Sequence, residues 1–533
     1  MKSCIILFFG FFYLQPLFAQ DFNSNLALIP KPQKVEFYNG HLKWQNDFPV
    51  FSEKELDSRV VSQLNLMCIK GGMISADGVT EKIISFRKGS FEGDSIVGSY
   101  RLLVNENGVD IFANSSEGQY YALLTLSQLF SVDSVFSDGA TIPFAEIEDY
   151  PTFVWRGMHL DVSRHFFDVE FIKSYIRWLS FHKLNKFHWH LTDDQGWRIE
   201  IKKYPELTEK GAYRKETILA KNFNPYIGDS TPYGGFYTQE QIKEIVEYAS
   251  NYFVEIIPEI EMPGHSVAAI SSYPWLSCKQ EPIEVATKWG VFDDVLCAGN
   301  DSVFKFLEDI LDEVTALFPS KYIHVGGDEC PKTRWETCEK CQKRMHDEHL
   351  NSEHELQSYF IQRIEKYLNS KGRVIIGWDE ILEGGLAPNA VVMSWRGEDG
   401  GIEAANASHQ VIMSPGKPCY FDHYQSQNTA DEPLAIGGYN GLKAVYDYKV
   451  IPESLNKEKQ IFILGAQANV WTEYMLNSKQ VEYMIFPRMS ALSEALWLNS
   501  SAKDYSDFKA RLKVQVQRYN RWGVSYRSLN LSE

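Results

Sequence analysis

The sequence predicts an α/β protein: a (β/α)8 TIM barrel preceded by a small α+β domain. Three observations carry that prediction. From Phe153 onward, short apolar runs alternate with amphipathic helical stretches, the runs number eight over about 350 residues, and polar and aromatic side chains collect just after the runs end.

In chain order, strands are expected at VWRGMHLDV, KFHWHL, VEIIPEI, YIHVGG, RVIIGW, AVVMSW, QVIMS and IFILGAQANV. Helices are expected between most of them, at FIKSYIRWLSFH, QIKEIVEYAS, VFKFLEDILDEVTALF and ELQSYFIQRIEKYL. An open, doubly wound sheet would carry a glycine-rich phosphate turn after its first strand, and DVSRHF is not one. Residues 20–148 follow a different pattern, with a hairpin signal in YRLLVNENGVDIFA, its Asn-Gly turn at 107–108, and a helix at EGQYYALLTLSQLF. Asp149-Tyr150-Pro151 punctuates the boundary, so the barrel is assigned to 149–500 and a C-terminal helical extension to 501–533. Residues 1–19 read as an export signal: one Lys, a short apolar run from Cys4 to Leu14, and a small residue at Ala19.

Composition narrows the function. A formal charge of −17 with no basic tract argues against nucleic acid or an anionic membrane as the main partner, and no later segment is apolar enough to span a bilayer. The 13 Trp and 28 Tyr fit either a large aromatic core or the flat faces of a carbohydrate site. Export makes disulfides possible, and Cys278 and Cys297, flanking a loop, are the expected pair. A zinc set of Cys330, Cys338, Cys341 and His346 ranks below that, because its spacing is not a standard one.

A barrel places its chemistry on the loops that follow its strands. Reading those ends in order gives Asp161 and Arg164; Asp193, Asp194 and Trp197; Glu259, Glu261 and His265; Asp328 and Glu329; Trp378; Trp395; Tyr420 and Asp422; and Trp471 and Glu473. His188 and His190 point the same way on the second strand, as in metal hydrolases. Trp rather than His or Asp ends strands five and six, so histidines satisfied by hydrogen bonds are the favoured reading. The adjacent acids of HVGGDEC fit poorly with two carboxylates facing each other across a sugar. They fit better if one handles the leaving group while the other holds a substrate group that itself attacks. Gly326 and Gly327 permit the distorted backbone that would turn both side chains into one cavity; alone, GGDE reads equally as an acidic turn.

LDVSRHF, HWHLTDDQGWR, PEIEMPGH, HVGGDE, GWDE, MSWRG and NVWTE together resemble the family 20 glycoside hydrolases, the β-N-acetylhexosaminidases, in order over residues 25–500. The resemblance implies an exo-acting, retaining enzyme that removes terminal GlcNAc or GalNAc from N-acetylhexosamine-containing glycans, as a monomer or homodimer. The acetamido oxygen of the substrate attacks the anomeric carbon, and no metal or organic cofactor is used. It further implies that Asp328 orients the acetamido group while Glu329 protonates the leaving oxygen and later activates water. Asp193 and His265 tune that acid; Arg164 and Glu473 bind ring hydroxyls; Trp378, Trp395 and Trp471 wall the sugar; and Tyr420 and Asp422 grip the acetamido oxygen and nitrogen. In those roles Glu329 is expected to have a raised pKa and Asp328 to stay ionised. A lacto-N-biosidase of the same family, with a wider pocket beyond Arg164 and Glu473, and a glycan-binding protein without catalysis are the alternatives; the intact acid pair speaks against the second. Residues 215–236, rich in Gly, Pro and Asn, and CPKTRWETCEKC after the acid pair fall outside the family motifs.

Overall fold

The computed structural model describes residues 27–67, 69–74 and 82–529; the expected export signal and Cys68 lie outside the described residues. Among the described residues the N-terminal sheet has seven strands. Lys34–Lys43, Thr141–Asp149, Tyr100–Asn105 and Gly108–Phe112 pair antiparallel, and Ile83–Arg87, Val50–Ser52 and Met73–Ile74 continue it in parallel. Alternation sets its faces: Tyr100, Leu102 and Val104 point into the core while Arg101, Leu103 and Asn105 are half-buried. The hairpin turns at Glu106-Asn107, one residue before the expected dipeptide, since Asn105 pairs with Gly108. Gly108 is needed in the strand itself: its φ is +121°, and a Cβ there would come within 2.1 Å of Ile83 O.

The helix Ser116–Gln128 is capped by Ser115, whose hydroxyl accepts from Gly118 N–H. It is apolar on nearly every side because it lies between the sheet and the barrel, where Tyr120 OH meets Ser180 Oγ at 2.6 Å.

The eight expected barrel strands form and close in parallel register: β1 Trp155–Asp161, β2 Lys186–His190, β3 Glu255–Glu259, β4 Tyr322–His324, β5 Val374–Trp378, β6 Val391–Ser394, β7 Val411–Met413 and β8 Ile463–Ala468. The four expected helices appear as α1 Val169–Phe181, α2 Gln239–Asn251, α3 Asp301–Leu317 and α4 Glu353–Ser370. Each begins at a residue whose side chain caps its first turn: Asp168, Thr238, Asn300 and Ser352. The crossover from β5 to β6 departs from the pattern and holds only the 3-10 turn Asp379–Leu382, where Gly384 and Gly385 at positive φ break any helix. A last helix, Tyr505–Trp522, buries Phe508, Leu512 and Tyr519 against the barrel's outer shell.

The period of two on β2 sends His188 and His190 inward and Trp189 outward to the helical ring. The lower barrel is filled by Trp155, Ile257, Ile376 and Met393, and above them lie histidines and carboxylates.

A buried ion pair joins the two domains. Lys183 Nζ donates to Asp149 Oδ2 at 2.8 Å with both side chains fully buried, and Tyr100 OH and Trp497 Nε1 donate to the same carboxylate at 2.6 and 2.7 Å. Removing one partner would strand the other charge. Lys183→Met is expected to destabilise the protein by about 3–5 kcal/mol, read as a fall in the midpoint of chemical or thermal unfolding, with Lys202→Met as the exposed control.

Candidate active site

The backbone after β4 answers how neighbouring acids reach one cavity. Gly326 and Gly327 have φ of +67° and +95°, and Glu329 itself sits at +45°, so the chain leaves its alternating strand geometry. A Cβ on Gly326 would lie 1.7 Å from Glu261 Oε2. The result is that both acids face His265, whose Nε2 lies 3.6 Å from Asp328 Oδ2 and 3.5 Å from Glu329 Oε2. His265 is likewise at positive φ, +45°.

The ring's other nitrogen is held from behind: Nδ1 is 3.2 Å from Asp193 Oδ1 and 3.0 Å from Asp194 Oδ2. Burial favours a neutral ring, but Asp193 and Asp328 outweigh it and hold the His265 pKa well above the usual range. Burial would raise Asp193, yet Arg164 and His265 keep it well below the usual carboxylate range. Arg164 NH2 is 2.9 Å from Asp193 Oδ2, and His190 Nε2 is 2.8 Å from the same oxygen.

Arg164 is aimed by its own loop. Asp161 Oδ1 accepts from the Ser163 and Arg164 amides at 2.8 and 3.1 Å, and Arg164 Nε donates to Gln195 Oε1 at 3.0 Å. Its remaining nitrogen lies 3.8 Å from Glu473 Oε1, and the guanidinium stands 5.0 Å from the Trp471 ring centre.

Below the site, Glu259 is a hub: His190 Nδ1 binds its Oε2, His324 Nδ1 lies 2.8 Å from Oε1, and Trp378 Nε1 donates to Oε1 at 2.9 Å. His188 Nδ1 accepts from Gln467 Nε2 at 2.8 Å, and its Nε2 lies 3.0 Å from Glu259 Oε2. The pair on β2 is therefore engaged by core partners, and His190 has a carboxylate on each nitrogen.

These groups surround a cleft of about 360 Å³ lined by Arg164, His265, Asp328, Glu329, Trp378, Trp395, Tyr420, Asp422, Trp471 and Glu473. Ten of the eleven expected site residues thus meet at one cavity, and Asp193 stands behind Arg164 and His265. Trp395 stacks on Tyr420 with centroids 6.0 Å apart and donates from Nε1 to Glu380 Oε2 at 2.9 Å, while Trp378 and Trp471 lie 5.8 Å apart at the floor.

The ionisation of the acid pair runs opposite to expectation in the unliganded cleft. Burial, with the nearby charges of Glu259 and Glu329, pushes Asp328 up to about 6, against the pull of His265. Glu329, its side chain 43 % exposed, is lowered, first by its hydrogen bond with His265, which outweighs the opposing effect of burial. Glu261, beneath the pair, is pushed well above the carboxylate range by burial and then by Asp328, which favours its protonated form. Burial and then Glu473 hold Asp422 well above the usual carboxylate range, and burial and then Asp422 raise Tyr420 in turn.

Sequence reading missed His423, Ile436, Gly437 and Gly438, which line the cleft from an irregular segment after β7. Nothing in their residue types signals a site. Residues 215–236 form an exposed hairpin, Ile218–Phe223 with Tyr226–Gly228, and Lys221 Nζ donates to Ile436 O at 2.8 Å, so the insertion braces that segment. The expected Cys278–Cys297 disulfide is not formed: both are free thiols, because each sulfur faces others of a four-cysteine group with Cys338 and Cys341. Cys330 and the exposed His346 lie outside that group.

Residues 153–500 match the family model described as "Glycosyl hydrolase family 20, catalytic domain", and residues 25–150 match "Glycosyl hydrolase family 20, domain 2". The chain is 51% identical over 432 residues to a beta-hexosaminidase of Porphyromonas gingivalis, covering 80% of this chain and 54% of that protein. It is 32% identical over 438 residues to a beta-N-acetylhexosaminidase of Cellulomonas fimi, covering 80% of each. The crystal structure of a GH20 exo beta-N-acetylglucosaminidase from Vibrio harveyi superposes with a TM-score of 0.82 at 32% identity, covering 95% of this chain and 78% of that one. The chain therefore spans little more than half of the Porphyromonas relative it matches.

The raised Asp328 predicts a stability cost that activity must tolerate. A carboxyl at about 6 in the fold and 3.8 unfolded leaves the protein most stable below pH 4 as far as this group is concerned, and that stability is lost as pH rises through 6. Asp328→Asn is thus expected to raise stability at pH 7 by about 1–3 kcal/mol, a gain that shrinks toward zero below pH 4 when unfolding is followed across the range.

Proposed function

This chain belongs to glycosyl hydrolase family 20, and from that premise we propose that it is an exo-acting, retaining β-N-acetylhexosaminidase that hydrolyses terminal GlcNAc or GalNAc with the substrate's own acetamido group as nucleophile. The observation that carries the proposal is Asp328 Oδ1, a buried acceptor with no hydrogen-bond partner, in the same cleft as Glu329. An amide N–H is the donor that acceptor lacks.

With the N–H on Asp328, the acetamido oxygen attacks the anomeric carbon as the bond to the leaving oxygen breaks and Glu329 gives that oxygen its proton. The positive charge that develops on the amide lies beside Asp328, which opposes it. Glu329 then takes a proton from water, and the resulting hydroxide opens the cyclic intermediate with net retention. Substrate corrects the ionisation of the free cleft: an amide donor stabilises charged Asp328, and the sugar strips water from half-exposed Glu329 while leaving it next to that charge.

Trp378, Trp395 and Trp471 wall the acetamido group and the sugar face, and Tyr420 supports the attacking oxygen. Asp422 joins Arg164 and Glu473 in holding ring hydroxyls at the far end. Arg164 is backed there by buried Asp161, Asp193 and Gln195, which supports a pocket for one terminal sugar over the wider one of a lacto-N-biosidase. The reading includes export to the periplasm, cell surface or medium, supported by the apolar run from Cys4 to Leu14, and a monomer or homodimer; no described helix is long and apolar enough to cross a membrane.

Hydrolysis of nitrophenyl GlcNAc and GalNAc beside the plain glucoside tests the mechanism: the 2-acetamido substrates are cleaved and the glucoside is nearly inert, whereas equal rates on all three would reject assistance by the substrate. Glu329→Gln is expected to lose about 10²- to 10⁴-fold on natural glycans and less on nitrophenyl leaving groups. In pH profiles, kcat/KM falls below about 6 as Asp328 takes up a proton, while the acid limb of kcat, which reports the complex, lies lower. Coincident limbs would count against an amide on Asp328.

A further inference from the structure

Four cysteines outside the cleft converge from two loops. Cys278 and Cys297 close the loop that follows β3 and its His265 segment. They are set side by side by the antiparallel bridge Ser277–Leu296 and by Cys297 N–H donating to Leu276 O at 2.8 Å. Cys338 and Cys341 form a Cys-x-x-Cys turn after β4 and its acid pair; Cys338 precedes the helix Glu339–Asp347, and Cys341 is buried in its first turn. The sulfurs lie 3.7 Å apart for Cys278–Cys341, 3.8 Å for Cys297–Cys338 and 3.7 Å for Cys297–Cys341, and all four ligand atoms fall within 4.8 Å of one another.

These distances choose between two chemistries. A disulfide brings two sulfurs to about 2.05 Å and pairs each with a single partner. Here Cys297 and Cys341 each have two sulfurs at the same separation. A tetrahedral metal with sulfurs at about 2.3 Å spaces them by about 3.8 Å along each edge. We propose that Cys278, Cys297, Cys338 and Cys341 bind one zinc ion as a structural Cys4 centre that ties the loop carrying His265 to the loop carrying Asp328 and Glu329.

Binding is written Zn²⁺ plus four thiols giving a tetrathiolate complex and four protons released to solvent, with no change of oxidation state. The helix that starts at Glu339 directs free amides toward its first turn, where thiolate is favoured. The surroundings are built for the join. Trp335 Nε1 donates to Leu296 O at 3.0 Å, Leu296 N–H donates to Pro263 O at 2.9 Å two residues before His265, and a Cβ on Gly299 would meet Lys340 C at 2.1 Å. The centre is independent of the activity assigned to the cleft.

The test uses the full chain, purified without chelator or added metal. Elemental analysis is expected to find one zinc per chain, and denaturation with a chelator to release it and leave the four cluster thiols titratable alongside Cys68, Cys330 and Cys419. Cys278→Ala and Cys338→Ala are each expected to lose the zinc while Cys419→Ala, a buried cysteine outside the cluster, keeps it. A chelator is expected to lower the unfolding temperature of the wild-type protein. If the variants do not fold, the wild-type metal content and denatured intact mass decide alone. Zinc-free protein lighter by four hydrogens, meaning two disulfides, overturns the proposal, as do metal-free protein with free thiols and iron in place of zinc.

Discussion

Two neighbouring carboxylates must open into the same cavity, and the peptide backbone forbids this on a regular strand. Everything at the top of this barrel follows from how that constraint is met. Left-handed φ at Gly326, Gly327 and Glu329 ends β4 after three residues and folds the chain over Glu261. Only glycine fits over Glu261, whose carboxyl burial and Asp328 hold well above the usual range. A non-glycine residue at +45° costs on the order of 1–2 kcal/mol, and it occurs at both Glu329 and His265, the two residues facing each other. The rest of the fold holds this strain in place.

The electrostatics form a chain rather than a set of pairs. Arg164 stabilises Asp193, Asp193 and Asp194 stabilise the His265 imidazolium, and the imidazolium faces both acids. A second branch runs from Asp193 through His190 to Glu259, which also orients Trp378 at the cleft floor. Buried charges survive here because each has an opposite neighbour at hydrogen-bond distance. Asp328 Oδ1 is an exception, and so is Asp422 Oδ1; both are partnerless acceptors turned to the cleft residues. The unpaired positions are where substrate donors belong: an amide at one end and hydroxyls at the other.

How much of this was legible in the sequence depends on the kind of force involved. The eight barrel strands were readable because burial on both faces imposes long apolar runs, and the site because a barrel puts chemistry at strand ends. The β5–β6 crossover carried no helical pattern, and it holds only the 3-10 turn Asp379–Leu382 ahead of Gly384-Gly385. The acid pair's ionisation escaped because it depends on Glu259 and His265, distant in sequence, and on an exposure that a residue string does not encode. The 436–438 segment carries no reactive side chain, so only its position identifies it.

The cysteines failed for a related reason. A loop flanked by Cys278 and Cys297 invites pairing, yet pairing is a matter of three-dimensional sulfur geometry, and the decisive partners lie 41 to 63 residues further along. Their placement bears on the opening constraint. The strained segments at His265 and Glu329 lie on different loops, after β3 and β4, and loops are where a barrel is least rigid. Their relative position has to be fixed to a few tenths of an ångström for one imidazolium to serve two acids. The hydrogen bond from Trp335 to Leu296 connects the two loops, Leu296 is in turn tied to Pro263 within its own loop, and the four sulfurs converge at that same join. A cross-link there resists the relaxation that left-handed backbone would otherwise undergo, without placing any group in the path of the sugar.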